Sequence, residues 1–297
     1  MALVVTLITH QSNPILNKSL VEQIMTTVNA SSICWLADSI ACDIILPPNT
    51  IADSYRKILH SIIAGRPIDI VIHKTENRRK SLLVADMDST MIKQECIDEL
   101  ADTIGIKDKV SHLTSLAMNG KMPFQDSLRE RVSLLKGIPT KIVNSIMSER
   151  ITYTPGGYEL IHTMKKNGAF TILVSGGFTV FASIVAHDIG FDKYYANHLM
   201  EENGKFTGKV LEPILDHTTK SNILRETSDM LNICPEDALA VGDGKNDLEM
   251  IQLAGSGVAL HAKPILAEQA KIRIDHGDLK SLLYIQGYKE KEIVVPQ

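Results

Sequence analysis

Three short clusters in this chain of 297 residues hold side chains that can do chemistry. The first is Asp86-Met87-Asp88-Ser89-Thr90 and the second is Ser175-Gly176-Gly177. The third is Gly242-Asp243-Gly244-Lys245-Asn246-Asp247. Asp86 and Asp88 stand two apart, so on extended backbone both carboxylates can face the same way. Two close carboxylates repel, and one pKa rises unless a cation sits between them. A hard divalent cation takes oxygen ligands, and Asp243 can supply a further carboxylate. Magnesium binds through a few carboxylates plus phosphate oxygens, which suits so sparse a set.

Each cluster follows a short, nearly continuous apolar run, at 82–85, 170–174 and 239–241. Such runs fit strands buried on both faces of a parallel sheet. They alternate with helical patterns, which implies an α/β layer fold. Ligands of open α/β sheets bind outside the carboxyl ends of the strands. The three clusters therefore converge on one site. Any one of them, Ser-Gly-Gly above all, would pass for a polar turn by itself.

Between the first two runs lies a helix-rich insertion, about residues 93–152. Ile97, Leu100, Ala101 and Ile104 follow the i, i+3, i+4, i+7 pattern, and Phe124, Leu128, Val132 and Leu135 make a second stripe. Most of these residues are expected to serve packing. Around 196–211, Asn203-Gly204 between alternating runs predicts a hairpin.

Residues 1–75 read as a separate unit. A β-rich run at 2–9 is followed by helical spacing at 15–28, two short strands at 32–37 and 42–46, a helix at 51–63 and a strand at 68–73. The order βαββαβ predicts a ferredoxin-like sandwich. It resembles ACT-type small-ligand domains, which carry a glycine in the first strand-to-helix loop. Here that loop runs over 10–14 without one. Packing, or assembly of a homodimer, is therefore expected of this unit in place of amino-acid sensing. Residues 73–81 are polar and basic, and 76–81 are expected to form a solvated linker.

The bulk numbers exclude several classes. A net charge of −4 gives no basic field for nucleic acid. No apolar run approaches the ~18 residues of a membrane span. The apolar start has no Lys or Arg before Lys18, so it reads as a strand and not as a secretory signal. The cysteines Cys34, Cys42, Cys96 and Cys234 make no CxxC and no zinc spacing with histidine. Reduced thiols and a cytoplasmic protein are expected.

The ordered motifs resemble the haloacid dehalogenase (HAD) superfamily over about residues 80–290. The DxDx[TV] motif is Asp86 to Thr90, the Ser after a strand is Ser175, the lone lysine is Lys220, and the GDxxxD motif is Gly242 to Asp247. Lys220 without these neighbours would read as a surface lysine. The strings ADMDSTMI, MPFQDSLRERV, VSGGF and GDGKNDLEM bring the resemblance closer to the phosphoserine phosphatase family. The implied fold is α/β: a parallel Rossmann-like HAD core over 82–297 with a helical cap at about 93–152, preceded by the ACT-like α+β domain.

By that resemblance Asp86 is the nucleophile, forming an aspartyl-phosphate, and Asp88 is the general acid and then base. Mg2+ would bind Asp86, the backbone carbonyl of Asp88, and Asp243. Ser175, Gly176 N–H and Lys220 would hold phosphate oxygens, with Asp247 steadying Lys220 or a metal-bound water and Asn246 nearby. Glu95 would meet the ammonium of O-phosphoserine and Arg131 its carboxylate, beside an apolar wall from Met118 and Phe124. The implied activity is hydrolysis of O-phosphoserine, the last step of serine biosynthesis. Another small phosphate monoester, or transfer to an acceptor alcohol, stands as the alternative.

Overall fold

The computed structural model describes residues 2–48, 51–63, 65–118 and 121–296. The amino-terminal unit contains β1 (Leu3–Ile8), α1 (Lys18–Thr27), β2 (Ser32–Ala37), β3 (Ala41–Ile45), α2 (Ala52–Ile63) and β4 (Asp69–Lys74). Its strands form an antiparallel sheet in the order β2-β3-β1-β4, the ferredoxin-like arrangement. Alternation in β1 decides what each face meets. Val5 and Leu7 pack with Leu20, Ile24 and Leu59 of the two helices, whereas Ile8 joins the core of the following domain.

The second unit starts with β5 (Leu82–Ala85), which runs into a π-type turn, Met87–Met91. Then come α3 (Cys96–Thr103), α4 (Lys107–Met118), α5 (Phe124–Ser133), α6 (Ile142–Glu149), α7 (Gly157–Lys166), β6 (Phe170–Phe178) and α8 (Thr179–Ile189). They are followed by β7 (Lys193–Asn197), β8 (Leu199–Glu202), β9 (Lys205–Val210), α9 (His217–Leu231), β10 (Ala238–Gly242) and α10 (Leu248–Leu253). The chain closes with β11 (Ser256–Leu260), α11 (Pro264–Gln269), β12 (Ile272–Ile274) and α12 (Ser281–Ile285).

Six strands make one parallel sheet in the order β12-β11-β10-β5-β6-β7. Both faces of its central strands are buried, which is why they read as continuous apolar runs. Leu83, Ala85, Leu239 and Val241 face Leu160, Phe181 and Leu282, while Leu82, Val84 and Ala240 face Leu224, Met250 and Leu266. The insertion between β5 and α7 carries α3 to α6. The β8–β9 hairpin joins this layer: Gly137 N–H donates to Phe206 O at 2.8 Å, and Phe206 N–H to Ile138 O at 2.9 Å.

The connector is not a solvated hinge. Arg78 pairs with Asp43 at 2.6 Å and donates to the carbonyls of Tyr284 and Ile285. Lys80 is buried, its ammonium 2.7 Å from the carbonyls of Asn77 and Glu236. Across the same seam Asp69 accepts backbone N–H groups of Asp275, His276 and Gly277. The basic residues between the units thus neutralise buried acid and carbonyl oxygen, which buried polar groups require. No helix among the described residues is long and apolar enough to cross a membrane.

Candidate active site

The three clusters meet at the carboxyl edge of the parallel sheet, as strand order dictates: β5 is flanked by β6 and β10. The turn after β5 is held by Ile92 N–H donating to Met87 O and by Ser89 in the left-handed region at φ 56°. Two carboxylates leave this turn in different company. Asp86, 4% exposed, receives the Lys220 ammonium on Oδ1. Asp88 accepts the Cys96 N–H on Oδ1 at 2.8 Å and the Ser175 hydroxyl on Oδ2 at 2.9 Å. Ser175 Oγ in turn accepts Gly177 N–H at 2.8 Å. A Cβ on Gly177 would stand 3.0 Å from both Asp88 Oδ2 and Ser175 Oγ, which explains the glycine.

Lys220 reaches the site from α9, buried to 2% exposure, and also pairs with Asp247 Oδ1 at 2.6 Å. Asp247 Oδ2 accepts the N–H groups of Asp243 and Gly244 at 3.2 and 3.0 Å. Both oxygens of Asp247 are therefore engaged in fixing Lys220 and the loop. Gly242 is required here, because a Cβ would lie 2.3 Å from Asp247 Cγ.

The electrostatics follow from burial. Burial, then the Asp247 carboxylate, pushes the Asp86 carboxyl well up, and Lys220 opposes this. Burial and then Glu95 push Asp88 up to about 6, against the hydrogen bonds from Cys96 and Ser175. Burial would lower the Lys220 pKa, but Asp247 and Asp86 outweigh it and raise it. Burial raises Asp243 too, opposed by Lys263.

Oxygens of Asp86, Asp243 and Asp247 lie within 4.8 Å of one another, an all-carboxylate set suited to a hard divalent cation. Since Asp247 is committed to Lys220 and backbone N–H groups, Asp86 and Asp243 are the carboxylates left for such an ion. The Asp88 side chain points to Ser175 and Cys96, so only its backbone could add to them.

The cap contributes from above. Arg131 on α5 is 7% exposed, and burial lowers its pKa against the pull of Asp98 and Glu95. Its Nε donates to Ser127 O at 3.2 Å and its Nη1 reaches the Thr114 hydroxyl at 3.4 Å. Among the described residues it makes no ion pair. Glu95, at the start of α3, accepts the Ser89 hydroxyl on Oε1 at 2.9 Å. The Phe124 ring overhangs the Ser175–Gly177 segment, 3.8 Å from the place of a Cβ on Gly176. Asn246 is exposed, its Oδ1 lying against Gly244. Met118 closes α4, and its side chain lies outside the described residues.

Two residues that no sequence motif marked also belong to the site. Asn197 donates to Gly176 O at 2.9 Å and accepts Leu215 N–H at 2.8 Å, which fixes the Ser175–Gly177 segment. Lys263 pairs with Asp243 at 3.0 Å and with Glu95 at 3.5 Å. Reading the apolar run of β11 as a further parallel strand would have placed residues 261–263 at the same edge.

A model of haloacid dehalogenase-like hydrolases matches residues 83–252. A probable phosphoserine phosphatase of Schizosaccharomyces pombe is 44% identical over 220 residues, 73% of this chain and 74% of that protein. A HAD family hydrolase of Salmonella enterica serovar Typhi superposes with a TM-score of 0.86 at 26% identity, over 96% of this chain and 98% of its own. That match includes the ferredoxin-like unit. A phospho-aspartyl intermediate analogue of phosphoserine phosphatase superposes with a TM-score of 0.64 at 41% identity, over 69% of this chain and 98% of its own. The chain belongs to the haloacid dehalogenase-like hydrolase family, with phosphoserine phosphatases among its relatives.

Proposed function

We propose that the protein hydrolyses O-phosphoserine to serine and phosphate through an aspartyl-phosphate on Asp86. The observation that carries the substrate choice is Arg131, a buried guanidinium without an ion-pair partner among the described residues. A guanidinium has five N–H donors, and the two hydrogen bonds among the described residues leave the rest for a planar, bidentate anion. The substrate carboxylate is such an anion. Glu95, on the neighbouring cap helix, offers negative charge for the ammonium.

The reaction follows from these interactions. Lys220 engages Oδ1 of Asp86, and Oδ2 takes no hydrogen bond from the described residues. An oxygen of this carboxylate attacks phosphorus, and the P–O bond to serine breaks. Asp88, raised to about 6, gives its proton to the leaving serine oxygen. It then takes a proton from the water that hydrolyses the aspartyl-phosphate. Ser175, the Gly176 N–H and Lys220 hold the phosphoryl oxygens, with Asp247 keeping Lys220 in place. Asp86, Asp243 and the Asp88 carbonyl would hold Mg2+, which would supply positive charge against the phosphoryl oxygens. Phe124 walls the leaving-group side, and Asn246 stands at its rim.

The test is phosphate release from phosphoserine, phosphoethanolamine and a sugar phosphate, each with Mg2+ and with chelator. Phosphoserine should be the best substrate by at least tenfold in kcat/KM, and chelator should abolish turnover. A sugar phosphate that matches phosphoserine would overturn the substrate, and full activity in chelator would overturn the metal.

A further inference from the structure

Lys263 stands on the loop between β11 and α11, beside the third cluster. Its backbone N–H donates to the Asp243 carbonyl at 2.8 Å, which pins the residue to that loop. From this anchor the ammonium reaches Asp243 Oδ2 at 3.0 Å and Glu95 Oε1 at 3.5 Å. One flexible side chain, 47% exposed, therefore spans a carboxylate of the core and a carboxylate of the cap.

Asp243 is one of the two carboxylates left for a divalent ion, and an oxygen that serves an ammonium is not available at full charge to a metal. Two cations at contact distance from one carboxylate also repel each other. Glu95 gives the ammonium somewhere else to go, within reach of the same anchor. We propose that Lys263 is a tethered competitor for the metal: it occupies Asp243, withdraws to Glu95 when the ion binds the substrate-free protein, and so sets metal affinity. This inference rests on the metal assignment of the proposed function, but not on the identity of the substrate. Lys263 is thus a positioning residue, and it takes no part in phosphoryl transfer.

The sign of the effect separates this role from a structural one. A brace that held Asp243 in a metal-binding rotamer would weaken metal binding when removed, whereas loss of a competitor strengthens it. The experiment titrates Mn2+ into the full-length protein with no phosphate ester present and reads free Mn2+ by electron paramagnetic resonance. Lys263→Met should lower the Kd about two- to fivefold, the range expected for a half-exposed ion pair. Lys263→Arg, which keeps the charge, should stay near wild type. An unchanged or higher Kd for Lys263→Met overturns the proposal. A wild-type protein that bound no Mn2+ would instead overturn the metal assignment itself, and the competitor with it.

Glu95→Gln tests the second berth. It removes a negative charge near the metal in any background, so its effect is compared with and without Lys263. Glu95→Gln should raise the Kd more in the wild-type background than in Lys263→Met. Equal shifts in both would show that Glu95 does not receive the ammonium, and would overturn the withdrawal step.

Discussion

Replacing Arg131 by methionine separates recognition from architecture. Methionine keeps the length and the apolar stem of the side chain but removes the guanidinium. Among the described residues that removes little: one hydrogen bond to the Ser127 carbonyl at 3.2 Å and one long one to the Thr114 hydroxyl at 3.4 Å. Against them stands the desolvation of a cation that is 7% exposed and whose pKa burial lowers. Replacing a buried charge by an apolar group of similar volume is often neutral or stabilising. Melting temperature should therefore stay level or rise. The substrate loses a charge-assisted carboxylate pair worth about 1.5–3 kcal/mol. That is about one to two decades in KM for phosphoserine. Phosphoethanolamine lacks the carboxylate, so its KM should barely move. Steady-state phosphate release on the two esters, with a thermal melt of each protein, reads all three quantities. Equal losses on both esters, or a melting temperature several degrees lower, would show that Arg131 holds the cap together and does not read the substrate.

Asp86→Asn should abolish turnover while leaving the melt intact, since an amide is a poor nucleophile; retention of more than a few per cent of activity refutes the nucleophile. Asp88→Asn should slow single-turnover phosphorylation from phosphoserine far more than from para-nitrophenyl phosphate, whose leaving group needs little protonation; equal slowing refutes the acid. In the unaltered protein, phosphorylation from phosphoserine should fall as pH rises through about 6, where Asp88 loses its proton. The same raised pKa means that the Asp88 contribution to stability is complete below the unfolded value near ~3.9 and lost as pH rises through about 6. Asp88→Asn should therefore melt higher than wild type at pH 8, and a lower melt would contradict the shift. Lys220→Met leaves Asp86 and Asp247 buried without their cation, and breaking such a pair costs about 3–5 kcal/mol. Urea denaturation of Lys220→Met should show that loss, and unchanged stability would refute the account of the buried cluster.

Much of this arrangement could be read along the chain. The runs leading to Asp86, Ser175 and Asp243 declare themselves because both faces are buried, so they are apolar except for Thr171. Their carboxyl ends then locate the site before any tertiary pairing is known. The βαββαβ order likewise specified the ferredoxin-like unit, and Asn203-Gly204 its hairpin. The same local patterns missed β7, β11 and β12, and with β11 they missed Lys263.

Local spacing by itself determined the residues that one strand and its turn hold together: Asp86 with Asp88, and Asp243 with Asp247. Tertiary structure alone decided which charges compensate one another. Asp86 and Lys220 are 134 residues apart, and Arg78 meets Asp43 across a seam where local polarity had suggested a solvated linker. Nothing in the neighbours of Arg131 says that its guanidinium is buried without an ion-pair partner among the described residues, or in those of Lys263 that it spans core and cap. The physical reason is that periodicity reports which face of an element is apolar, whereas desolvation and Coulomb energy depend on what the fold brings against that face.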